Sequence, residues 1–124
     1  MIAAVGLCRA ESVCPWLNKA TAGGVLGGPV SAVVKQTSCE FMRPSGAVLR
    51  IEVQKKPAAP RVKCETGGMA LKAIGNEAVA CLSGGAEVVI GRVRDQRFAV
   101  SIRGVKEVRE KVTKVAEQVA GNLF

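Results

Sequence analysis

The residues of this 124-residue chain that are best suited to chemistry are its five cysteines, and the chain has no histidine. The cysteines stand at positions 8, 14, 39, 64 and 81. Histidine is the commonest general base and the commonest zinc ligand, so its absence removes the usual partners of a reactive or metal-bound cysteine. No C-x-x-C pair occurs either. The sequence therefore predicts no metal site, no cofactor and no cysteine nucleophile.

Four of the cysteines predict a pair of disulfides instead. If residues 1–10 are removed, an even set remains, and four cysteines allow three pairings. We favour Cys14 with Cys39 and Cys64 with Cys81, because each pair brackets a contiguous structural segment. One such bridge contributes roughly 3 kcal/mol to stability. The alternative is a cytosolic protein in which all the cysteines are buried free thiols.

The first ten residues resemble the end of a secretion signal. The apolar run MIAAVGL precedes Cys8-Arg9-Ala10, and a small residue at Ala10 suits cleavage before the polar Glu11. A positively charged n-region is missing. An ordinary N-terminal segment is one alternative, and lipid attachment at Cys8 is another, although Leu7 stands where a lipoprotein signal has a small residue. We predict a signal remnant at 1–10 and a single domain at 11–124.

The charge of the chain predicts an attraction to anions. Eighteen Lys and Arg against ten Asp and Glu give a net charge of +8. Arg92, Arg94, Arg97 and Arg103 fall on adjacent predicted strands and form a candidate patch for an anionic polymer or lipid headgroups. The alternative is a solvated surface that resists aggregation. An aromatic share of 3% is poorly suited to stacking single-stranded bases.

Two further segments could do chemistry, and each has a simpler structural interpretation. The stretch GGVLGGP could cradle a phosphate through backbone amides, but a predicted strand follows it and no Gly-Lys-Ser/Thr is present. Glu77 could be a catalytic carboxylate, but its place beside Asn76 favours a role in a turn. We therefore predict that the protein is not an enzyme.

These residues are predicted to be positioned by an α+β fold, with an antiparallel sheet of about five strands between a short N-terminal helix and a longer C-terminal amphipathic helix. Asn18 is the candidate N-cap of the first helix, and Gly27-Gly28-Pro29 ends it. Strands are predicted at 30–35, 48–53, 77–82, 87–93 and 97–102, whereas 69–74 reads as a strand or a turn. Residues 54–68 are predicted to be an irregular connection.

The last helix is predicted between Val105 and Gly121. Its valines recur every three or four residues, at 105, 108, 112, 115 and 119. We expect this seam to pack on the sheet, because barely two heptads are too few for a stable coiled coil. A dimer through this helix is the alternative.

A resemblance to a known group rests on CPWLNKATAGGVLGGPV, SCEFMR, AIGNEAVAC, GRVRDQRFAVSI and VAEQVAGNLF. Together these segments look like a group of small exported bacterial domains of unknown function, many of whose relatives are lipoproteins. Gly23-Gly24 departs from the pattern, where alanine or glutamate is typical. The resemblance implies export, disulfides and an α+β fold, and it implies no activity.

The sequence therefore predicts a non-enzymatic binding module that acts outside the cytoplasm, in the periplasm, at the cell surface or as a secreted protein. Its expected partner is an anionic envelope component or another protein. No apolar run approaches the ~18–20 residues that span a bilayer. The alternative function is a cytosolic basic protein that binds nucleic acid or another anionic polymer through dispersed Lys and Arg.

Overall fold

The computed structural model describes residues 13–124, and at residues 66 and 67 it describes the backbone alone. The predicted signal remnant at 1–10 lies outside the described residues. The elements are α1 (Lys19–Leu26), β1 (Ser31–Val34), β2 (Ser38–Met42), β3 (Val48–Lys55), β4 (Thr66–Leu71), β5 (Glu77–Ser83), β6 (Ala86–Val93), β7 (Gln96–Arg103) and α2 (Val108–Gly121).

All seven strands belong to one antiparallel sheet, in the order β1-β2-β3-β7-β6-β5-β4. Strands β1 to β3 form one meander and β4 to β7 form another. The two meanders join where β3 pairs with β7 over eight residues, from Val48 opposite Arg103 to Lys55 opposite Gln96. The predicted α+β class and antiparallel sheet are confirmed.

The predicted number of about five strands is wrong. The two strands missing from that number are β2, which the sequence pattern missed, and β4, which overlaps the segment 69–74 that reads as a strand or a turn. Strand β2 is only five residues long and follows β1 after a three-residue turn. Strand β4 contains two glycines, which weaken a strand pattern, and its pairing with β5 shifts register between Thr66 and Met69.

Both helices cover the same face of the sheet and bury an almost entirely aliphatic core. Helix α1 packs on β2 and β3, and α2 packs on β6 and β7. The large side chains that are fully buried include Phe41, Phe98, Leu49, Ile51 and Ile102. Because a buried Leu, Ile or Phe contributes about 1.5–3 kcal/mol, this layer supplies most of the driving force for folding.

The valine seam of α2 packs on the sheet, as predicted. Val112, Val115 and Val119 are buried there. In the first turn of the helix, Arg109 forms a bidentate ion pair with the largely buried Glu87 of β6. Nε and Nη2 of Arg109 each donate to one carboxylate oxygen of Glu87 over 3.1 Å. The seam is thus occupied within the chain, and a dimer through α2, the alternative prediction, would have to use the exposed side of the helix.

Helix α1 ends in a glycine cap that also seats an arginine. Gly27 has a φ of 94°, and the amides of Gly27 and Gly28 both donate to the Gly23 carbonyl. A Cβ on Gly28 would stand 2.7 Å from Nη2 of Arg43, whose guanidinium lies against the cap. Both amides are used within the helix end, which leaves them unable to hold a phosphate.

Two glycines of similar appearance in the sequence should respond oppositely to alanine. Gly24 lies inside α1 with nothing within 4 Å of an added Cβ, whereas a Cβ on Gly91 would come within 2.5 Å of Cζ of Phe98. We expect Gly24→Ala to raise the free energy of unfolding by about 0.5–1 kcal/mol. Gly91→Ala should lower it by about 1–3 kcal/mol. Urea unfolding followed by circular dichroism measures both, and changes of the same sign would contradict the described packing.

Candidate functional site

The candidate site lies on the face of the sheet opposite the helices, here called the second face. Several rows of side chains cross the strands there, and two of them include Arg50 and Arg97, as the strand registers show. One row runs from Glu40 through Arg50, Ser101 and Val88 to Cys81. The other runs from Gln54 through Arg97 and Arg92 to Glu77. Arginines therefore stand in both rows.

A connection without helix or strand covers the middle of the second face. This crossing segment, residues 56–65, leads from the end of β3 to the start of β4, and these strands are four positions apart in the sheet. Near its middle, the backbone N–H of Arg61 donates to Oε1 of Glu52 over 3.1 Å. The next residue, Val62, packs on a small buried cluster of Cys81, Ala86 and Val88.

The end of the crossing segment is fixed to β5 and to the turn that follows it in three ways. Cys64 is bonded to Cys81, with a Cα–Cα distance of 5.5 Å. The backbone N–H of Glu65 donates to the carbonyl of Leu82, and Oε1 of Glu65 accepts a hydrogen bond from the N–H of Gly84. The predicted irregular connection is thus ordered by a crosslink at its end and by Glu52 near its middle.

The other predicted disulfide is present as well. Cys14 is bonded to Cys39 of β2, with a Cα–Cα distance of 6.0 Å, on the helix-bearing face. It ties the residues before α1 to the core. Of the three pairings that four cysteines allow, the favoured one is therefore found, and disulfides persist mainly in oxidising compartments.

The crossing segment divides the predicted arginine patch. Arg92 and Arg97 are direct cross-strand neighbours, and Arg94 lies in the turn between β6 and β7. Arg103 lies at the opposite end of β7, six residues from Arg97, which is roughly 20 Å along a strand. The structure brings together three of the four predicted arginines.

Arg92 is the arginine with the most protein contacts in this group. Its guanidinium pairs with Glu77 over 3.3 Å and donates to the carbonyl of Arg94. The turn beside it is held by Asn76, whose Oδ1 accepts from the N–H of Arg94 over 2.6 Å. Glu77, weighed above as a catalytic carboxylate, is thus an exposed partner of Arg92.

The grooves on the two sides of the crossing segment differ in composition. A cavity of about 260 Å³ beside Cys64 is lined by Glu77, Ile90, Arg92 and Arg97. On the other side, adjoining cavities of about 320 and 210 Å³ share Arg50, Val62 and Ser101 as lining residues. Arg103 lines the smaller of these two.

Sequence reasoning missed Arg50, Arg61 and Ser101 as candidate residues. The alternation in VLRIEV did place Arg50 opposite the core, but a single arginine on an outward face is an ordinary surface residue. Arg50 differs from an ordinary surface arginine because the crossing segment lies beside it. Val62 of this segment forms one side of the groove that Arg50 lines.

Within residues 13–124, no helix is long and apolar enough to cross a bilayer, and no group of three or more acidic or cysteine side chains is placed to hold a metal ion. Comparison with protein-family models, curated proteins and solved structures finds no match for this chain. The resemblance to small exported bacterial domains therefore stays a prediction.

Removing the Cys64–Cys81 bridge should release the crossing segment and leave the helix-bearing core intact. For a bridge spanning 17 residues, we expect Cys64→Ala with Cys81→Ala to lower the free energy of unfolding by about 3 kcal/mol. Hydrogen exchange of the amides of Arg61 and Glu65 should become faster at the same time.

The matched control for that pair removes the other bridge, which spans 25 residues, with Cys14→Ala and Cys39→Ala. The loss of stability should be similar, about 3 kcal/mol, because the loop entropy changes slowly with length. The amides of Arg61 and Glu65 should keep their protection against local opening. Equal release of the crossing segment in both variants would contradict the role given to the Cys64–Cys81 bridge.

Proposed function

We propose that this chain is an exported binding module, stabilised by two disulfides, that recognises an anionic component of the cell envelope and performs no catalysis. The observation that carries the proposal is the pair of bridges, Cys14–Cys39 and Cys64–Cys81. Such bonds form and persist in the periplasm, at the cell surface and outside the cell, and a reducing cytosol breaks them. A signal at 1–10 and a relation to lipoprotein-type domains are part of the same proposal.

The engagement of three carboxylates, those of Glu52, Glu65 and Glu87, supports a role in binding over a role in catalysis. Glu52 accepts hydrogen bonds from Arg61 and Gln54, Glu65 holds the N–H of Gly84, and Glu87 is paired with Arg109. Each of these carboxylates fixes a neighbouring part of the chain. A general base needs instead to point at a substrate.

The anionic partner is proposed from one end of the second face, here called the basic end. It consists of Arg92, Arg94 and Arg97 with the nearby Lys56, whose backbone N–H donates to the backbone carbonyl of Asp95 in the turn between β6 and β7. Like charges directly opposite each other on neighbouring strands, as in Arg92 and Arg97, are destabilising unless something offsets them. Glu77 offsets the charge of Arg92, and no ion pair among the described residues offsets that of Arg97. A lipid headgroup or acidic polymer of the envelope would do so.

The redox state of the cysteines tests the proposed compartment. Cells of the native host are lysed in iodoacetamide, which labels free thiols. The mass of the protein is then measured for samples labelled with and without prior reduction. We expect reduction to add four labels, one for each cysteine in the two bridges. Complete labelling without reductant would place the protein in the cytosol and favour the nucleic-acid alternative.

Binding to anionic vesicles tests the proposed partner. The double variant Arg94→Gln, Arg97→Gln should bind phosphatidylglycerol vesicles about 10–30-fold more weakly than the parent, since each basic residue near an anionic membrane contributes about 1 kcal/mol. Arg103→Gln is the matched control, because it removes one charge on the far side of the crossing segment, and it should change binding by less than about threefold.

Three results would overturn this assignment: equal weakening by Arg103→Gln, no binding of the parent to anionic vesicles, or tighter binding to duplex DNA than to the vesicles. The last result would support the nucleic-acid alternative. Co-sedimentation at two salt concentrations gives the comparison, because attraction between exposed charges weakens as ionic strength rises.

A further inference from the structure

We propose that the groove on the other side of the crossing segment is a site for a small amphipathic carboxylate. It is here called the Arg50–Arg103 groove and comprises the two adjoining cavities of about 320 and 210 Å³. Together they reach the size of small-molecule pockets in proteins, which begins near 300 Å³. The site goes beyond the proposed function, because it lies away from the basic end and takes a different kind of ligand.

The polar side of the groove consists of three groups that converge. Arg50 stands directly opposite Ser101, and Arg103 follows two residues later on the same strand and the same face. Diagonal neighbours in an antiparallel pair lie about 7–8 Å apart, well within the reach of two arginine side chains. A single oxyanion placed over Ser101 could therefore contact both guanidinium groups and the hydroxyl.

These groups have no other partner in the part of the chain that the structure describes. The ion pairs there join Arg92 to Glu77 and Arg109 to Glu87, and neither Arg50 nor Arg103 takes part in one. Arg50 is nevertheless half-buried between β2 and β7. A guanidinium that is partly removed from water gains most from a charge-assisted bond to a carboxylate or phosphate, since such bonds are stronger than neutral ones.

The other side of the groove is apolar. It is lined by Val62 of the crossing segment and by Val48 and Ala86 of the sheet. Val88 is fully buried, and Val62 packs directly on it. A ligand with a short hydrocarbon body beside its charged group would fit both sides, because apolar walls with a few fixed polar groups are the usual composition of ligand pockets.

The charge balance of the groove selects a monoanion. Three guanidinium groups, those of Arg50, Arg61 and Arg103, line the cavities together with two carboxylates, those of Glu40 and Glu52. Formal charges therefore leave one unit of positive charge to be neutralised. A carboxylate carries one negative charge and neutralises it. A phosphate monoester near pH 7 carries more negative charge, and Glu40 therefore repels it more strongly.

The experiment uses octanoate as the probe, with octanol and octyl phosphate as comparison ligands, on the intact disulfide-bonded chain. We expect octanoate to bind with a dissociation constant on the order of 0.1–1 mM, which is ordinary for a ligand of this size. Amide NMR shifts should appear near Arg50, Val62 and Ser101. Octanol and octyl phosphate should each bind at least about fivefold more weakly.

Variants locate the site on the surface. Arg50→Gln and Arg103→Gln should each weaken octanoate binding about tenfold, because each removes one charge-assisted contact. Arg97→Gln is the matched control, since it lies on the same strand and the same face beyond the crossing segment, and it should have no effect. Dispersed NMR spectra of each variant verify folding, and Arg103, which is exposed, stays usable if Arg50→Gln unfolds.

The proposal is overturned if octanoate shows no saturable binding below about 10 mM, if octanol binds as well as octanoate, or if Arg97→Gln weakens binding as much as Arg103→Gln. Tighter binding of octyl phosphate would overturn the assignment to a carboxylate. The vesicle experiment at the basic end depends on Arg94 and Arg97, so failure there and failure here are separable.

Discussion

The pairing of β3 with β7 imposes the constraint on which the rest of the structure depends. Because the last strand of the chain inserts beside the third, and β4 to β7 pair in consecutive order, the fourth strand lies at the far edge of the sheet. The chain must therefore travel from β3 past β7, β6 and β5 before it pairs again. Both helices occupy one face, so the connection runs over the other face and forms the grooves there.

A connection of this kind has little means of holding itself in place. Its ten residues include two prolines and form neither helix nor strand. Three contacts compensate: the bond from Arg61 to Glu52, the packing of Val62 and the bridge from Cys64 to Cys81. Glu52 is itself a buried carboxylate on a central strand, which would be costly without the backbone and amide donors that it binds.

Much of the fold could be predicted from local pattern. The alternation in VLRIEV and RFAVSI, the valine spacing of α2 and the Asn18 cap of α1 are signals within a few residues, and the structure confirms each of them. Strand β4 could not be predicted in this way, because its glycines hide an extended segment that exists only through its pairing with β5. The pairing of the cysteines was favoured correctly, since each bridge encloses one continuous segment.

The site was less predictable than the fold. Arg92, Arg94 and Arg97 of the predicted patch lie close together, but nothing local to the sequence shows that residues 56–65 pass between Arg97 and Arg103. Arg50 and Ser101 are 51 residues apart in the chain and become neighbours only through the pairing of β3 with β7. Which residues become neighbours across strands depends on the sheet topology, and the topology is determined by the whole chain and not by any short segment.

The closeness of the two ends of the described domain has a consequence for how it can be attached to anything else. Nδ2 of Asn122 donates to the carbonyl of Trp16 over 2.8 Å, so the chain enters and leaves at nearly one point. That point is on the side of the helices, where Cys14 is bonded to the core. A tether at either terminus would therefore attach on the side of the helices, and the second face with its grooves would stay accessible to the surroundings.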